Sequence, residues 1–164
     1  MSERLPSTSG PRHAIIVAMM LVYGTFLAFV VFWPSPIDAS VAGLLDRAIS
    51  ELHERGVPTF IDYGFIESFA NMLLFVPVGF LFGLMVPLHW WPVALLLGPA
   101  LSAAIEVSQH YLLAARYATV QDVISNSIGA TIGVLAAVFI RAVVKARDEK
   151  VIERHEARQR LGVG

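Results

Sequence analysis

Residues 102–133 read SAAIEVSQHYLLAARYATVQDVISNSIGATIG. The run starts and ends in apolar surroundings, yet it carries Glu106, Gln109, His110, Arg116, Gln121, Asp122 and Asn126. Beside lipid-facing helices, ionisable groups are costly, and they mark function by default. The remaining chain is therefore read by how it builds, covers or faces this stretch.

The composition settles the solvent. Of the 164 residues, 56% are hydrophobic and 15% charged, and the mean hydropathy is +0.66. A soluble domain carries about a quarter charged residues. This is the composition of an all-α polytopic membrane protein. The formal charge of −1 gives no field for nucleic acid. With no cysteine in the chain, disulfides, thiolate nucleophiles and Cys-based metal sites drop out.

In chain order, residues 1–13 read as a short, polar, disordered arm, and Ala14 to Trp33 is an uncharged apolar run. A bilayer core takes about 20 helical residues, so this run reads as an uncleaved first span. Pro34 and Pro36 end it. Val41, Leu44, Leu45, Ala48, Ile49 and Leu52 then fall at helical spacing, with acids and arginines elsewhere. That pattern predicts an amphipathic helix closed by Gly56 and Pro58, lying at the interface or covering the polar stretch as a lid. The second span runs from about Phe65 to Val86. Tyr63, Glu67 and Asn71 share its entry face, and Pro77 sits inside it. Gly79 and Gly83 form a small-xxx-small pair for close helix approach. After PLHWW, a third span runs from about Trp91 to Leu113, and a fourth from about Val120 to Val144. The expected organisation is a cytoplasmic arm at 1–13, a membrane domain of four transmembrane helices plus one outer amphipathic helix at 14–144, and a tail at 145–164.

Nine Lys and Arg lie in the arm and from Arg141 onward, against three (Arg47, Arg55, Arg116) on the other side. The positive-inside rule then puts both termini in the cytoplasm. Glu67, Asn71, Glu106, Gln109, His110, Arg116, Asp122 and Asn126 converge on the outer leaflet. Asp122, Asn126, Gly129, Gly133 and Ala136 form one stripe, as a helix shows to other helices. Ser102, Glu106, Gln109 and His110 are expected to share a face of span three.

The segments FANMLLFVPVGFLFG, SAAIEVSQ and RYATVQDVISNSIGATIG resemble the VanZ-like family, named for a protein associated with low-level teicoplanin resistance. The matches cover roughly residues 67–133, the core of the family's domain. The family's pattern falls on Asn71, Pro77, Gly79, Glu106, Gln109, Arg116, Asp122, Asn126, Gly129 and Gly133; His110 lies outside it. The resemblance implies a small polytopic protein of the bacterial envelope, in the inner membrane, without an established reaction.

Several chemistries fit these residues. Two carboxylates, Glu106 and Asp122, held near one arginine suit general acid and base, with the deeper Glu106 as proton donor. Arg116 suits a phosphate or carboxylate in fork geometry. Glu67, Asn71, Gln109 and Asn126 complete a ligand-binding set. The partners expected are membrane lipids, a lipid-linked cell-wall precursor or a glycopeptide, with no cofactor. A structural network of Glu106 with Arg116, Gln109 and Asn126 is the plain alternative, and a proton or solute pathway is another. Glu106 and His110, four apart, with Asp122 would be a metal set, but no paired histidines back it and no metal is expected. Ser102, Ser108 and Ser125 lack a nucleophile-elbow context and read as packing serines.

Overall fold

The computed structural model describes residues 9–33, 42–112 and 119–160, with side chains described for 10–33, 43–112 and 119–153. Arg116 lies outside the described residues. Five α-helices follow one another: α1 (Ser9–Val31), α2 (Ala42–Glu54), α3 (Tyr63–Met85), α4 (Trp91–Leu112) and α5 (Val120–Arg160). A single 3₁₀ turn (Leu88–Trp90) joins α3 to α4, and no strand occurs among the described residues. Four helices (α1, α3, α4 and α5) are long and apolar enough to cross a membrane. Leu96, Val107, Ile128, Leu135 and Phe139 face outward, exposed. An apolar exterior of that extent needs lipid to cover it.

The closest packing lies between α3 and α5, and α4 lies next on α5. Glycine makes it possible. A Cβ on Gly129 would fall against the Met72 carbonyl, one on Gly133 against the Val76 carbonyl, and one on Gly79 against the Ala130 carbonyl. At Gly83 it would meet the Ala137 methyl at 2.7 Å. Backbone meets backbone along this seam, which maximises dispersion contact where no hydrophobic effect separates helix from lipid. Ala130 sits at the centre, between Gly79 of α3 and Gly98 of α4. Around it Leu27, Phe75, Val78 and Ile105 form the core.

The helix ends follow from local chemistry. The Asp62 carboxylate accepts from the Phe65 N–H at 2.9 Å and caps α3. Gly56, at φ +92°, terminates α2, and Val57 N–H reaches back to Leu52 O at 3.0 Å. At the other end of α3, Arg141 of α5 donates through Nη1 to Gly83 O (2.5 Å) and Val86 O (2.6 Å). A cation thus neutralises the negative end of the helix dipole.

The expected amphipathic helix is present as α2, and three expectations are corrected: at the arm, at the end of the fourth helix and at His110. The polar arm is helical from Ser9, because Gly10 and Pro11 stand in the first turn, where proline costs nothing. The fourth helix does not stop near Val144 but runs to Arg160, since the tail's Lys, Arg, Glu and Ala are strong helix formers. On α2, Ile49 is buried and Leu45 half-buried, but Leu44 and Leu52 are exposed. Its apolar face is thus only partly used against α3, the element it packs on most. His110 is exposed, whereas Ser102, Glu106 and Gln109 are buried. At 3.6 residues per turn His110 lies about 80° round the helix from Ser102, beyond the edge of the buried face.

Candidate functional site

One end of the bundle gathers the C-terminal ends of α1 and α4 and the N-terminal ends of α3 and α5. Its polar groups form two layers. The outer layer is built on Thr119, the cap of α5. Its hydroxyl accepts from the Asp122 N–H at 3.1 Å, and its carbonyl accepts the Val123 N–H at 3.4 Å. In a capping box the third helical residue would return a bond to the cap's own N–H. Here that N–H goes across to Glu106 Oε2 on α4, at 3.2 Å. Asp122 is thereby released. Its Oδ2 accepts from the Thr119 hydroxyl at 2.7 Å, and its Oδ1 from Asn71 Nδ2 of α3, also at 2.7 Å. The two acids are joined through one residue, and three helices are tied at one level.

The second layer lies one helical turn deeper. Asn126 Nδ2 donates to Ser102 Oγ at 2.9 Å; Ser102 is wholly buried and Asn126 is 5% exposed. The Asn126 Oδ1 atom is buried and has no hydrogen-bond partner among the described residues. An orphan acceptor in apolar surroundings costs about 1–3 kcal/mol. Gln109 Nε2, beside this layer, donates to Val31 O at 2.7 Å and closes the C-terminal end of α1.

Asn71, Gln109, Asp122 and Asn126, expected at the site, are brought together with Glu106, which is 8% exposed. Glu67 sits one turn before Asn71, exposed. Pro77 is half-buried further along α3. Its missing N–H frees the Leu73 carbonyl, and Tyr23 of α1 donates to the next one, Leu74 O, at 2.7 Å. His110 stays outside the site. Among the described residues no three His, Asp or Glu side chains gather as a metal would require.

Thr119 was missed by sequence reasoning, although T-x-x-D before a helix is a capping signal. Ser102 packs between helices, as expected, and its bond with Asn126 shows which helix it packs against. Arg141 was counted as a topology charge, and its role as the cap of α3 carried no sequence signal.

The profile of the VanZ/LLP1 family matches residues 20–141. The chain belongs to the VanZ/LLP1 family. The matched span takes in both polar layers and the glycine seam, and it ends at Arg141. No curated protein and no solved structure matches. Within the VanZ/LLP1 match, the Glu106–Thr119–Asp122–Asn71 chain is the most heavily bonded polar feature described.

Proposed function

We propose that this VanZ/LLP1 protein binds the head group of an envelope lipid or lipid-linked precursor at the polar end of its bundle. The observation that carries the reading is Asn126 Oδ1, an acceptor at membrane depth left without a donor among the described residues. A ligand hydroxyl or amide N–H would satisfy it, and sugar and peptide head groups bring both. Glu106, Asp122 and Asn71 would line the mouth, with Arg116 taking an anionic group of the ligand and Glu67 at the rim. The excess of Lys and Arg at the other end supports placing this mouth in the outer leaflet of the cell membrane, with both termini in the cytoplasm.

A second reading is favoured by the link through Thr119. Glu106 and Asp122, joined by one residue, suit an acid–base pair acting on the bound lipid. One experiment separates the two. A deletion strain is complemented with wild type, Glu106→Gln or Glu106→Ala, and its envelope lipids are profiled. Glutamine keeps an oxygen for the Thr119 N–H but cannot transfer a proton. A binding role survives Glu106→Gln and fails with Glu106→Ala; catalysis fails with both. Lipid profiles identical in the deletion and wild-type strains contradict both readings. Glycopeptide sensitivity measured in the same strains tests whether a glycopeptide drug is a ligand of this site.

A further inference from the structure

At the opposite end of the bundle, the N-terminal part of α1, the end of α3 and the outer half of α5 enclose a groove of about 850 Å³. Its walls are apolar: Ile16 and Met19 from α1, Leu84 and Met85 from α3, Ile140 and Val144 from α5. Its lining also carries charge: Arg12 and His13 on α1 and Lys145 on α5, with Asp148 and Glu149 about one turn, roughly 5.4 Å, further along α5 and Ile152 beyond them. Arg141 lines it too, its Nη1 held by Gly83 O and Val86 O.

We propose that this groove seats one zwitterionic aminophospholipid, with an acyl chain between the apolar walls, its phosphate on Arg12 and Lys145, and its ammonium on Asp148 and Glu149. The order matches the lipid. Outward from the acyl chains, an aminophospholipid presents a negative group and then a positive one; the groove presents cations and then anions. Phosphatidylglycerol would satisfy the cations and leave the two acids beside its phosphate. Phosphatidylcholine has no N–H to donate to them. Arg12 has no ion-pair partner among the described residues. Lys145 and Glu149 stand 3.8 Å apart with both side chains more than half exposed. Such a pair is worth little, so it opens readily to admit a head group. The inference is independent of the site at the other end and uses none of its residues.

The test is native mass spectrometry of the full chain in detergent. The protein is exchanged into an equimolar mixture of phosphatidylethanolamine, phosphatidylglycerol and phosphatidylcholine. One phosphatidylethanolamine should be retained per chain, about tenfold over either competitor. Asp148→Asn with Glu149→Gln should erase the preference for phosphatidylethanolamine over phosphatidylglycerol while an adduct persists. Arg12→Gln with Lys145→Gln should lose the adduct. Ile16→Trp, which fills the wall, should lose it too. These positions lie away from the core, and an unchanged melting temperature shows that each variant is folded. Equal retention of the three lipids, no retention, or a dimer in place of the lipid adduct would overturn the proposal.

Discussion

Glu106 accepts a backbone N–H of another helix, and this makes Thr119 as consequential as either acid. Thr119→Val removes the hydroxyl that caps α5 and donates to Asp122, at a cost of about 1–2 kcal/mol. Thr119→Ser should restore it. Thermal unfolding in detergent checks both, and a valine variant as stable as wild type would mean that the cap is not used. At this scale the sequence was legible where chemistry and depth coincided. Glu106, Asp122 and Asn126 are polar residues in apolar runs, and they stand out. Thr119 and Ser102 did not, because a small hydroxyl is equally at home packing a helix, and only the facing helix decides. His110 failed for a geometric reason: adjacent helical positions differ by about 100°, so Gln109 can be buried while His110 is exposed.

Among the elements, α5 carries most of the fold. Gly129 and Gly133 press on α3 carbonyls, whereas Leu135 is exposed. Gly129→Leu and Gly133→Leu should therefore sharply reduce folded protein in membranes, and Leu135→Ala should change it little. Similar yields for all three would show that this face does not pack. The glycine seam was readable because small residues repeated at helical spacing on α3 and α5 together. The length of α5 was not. Apolar periodicity ends near Val144, and a helix of charged residues beyond it has no buried face to announce it. With 41 residues at 1.5 Å each, α5 is about 60 Å long, roughly twice the thickness of a bilayer core. The excess must stand outside the hydrocarbon. There the C-terminal half of α5 brings Lys145, Asp148 and Glu149 to the groove.

For the whole molecule, the two ends differ in kind. One holds acids, amides and hydroxyls tied between helices; the other holds an apolar groove lined by both cations and acids. The bias in Lys and Arg supports the orientation proposed above, with termini inside and the carboxylate end outside. The chain has no cysteine, so single cysteines report without interference. In intact cells an impermeant thiol reagent should label a cysteine at Ser50 and miss one at Glu149. The reverse pattern would turn the molecule over and place the carboxylate end in the cytoplasm. The central claim, that the carboxylate end holds a ligand, is tested most directly at Asn126. Native mass spectrometry of protein extracted gently from its own membrane should show a lipid with a hydroxyl- or amide-bearing head group on wild type. On Asn126→Leu with Ser102→Ala that adduct should fall about tenfold, while the melting temperature holds or rises because the buried orphan is gone. The same adduct at the same level on both proteins, or a melting temperature that collapses with no such adduct on wild type, would contradict the claim and leave the polar layers as scaffold.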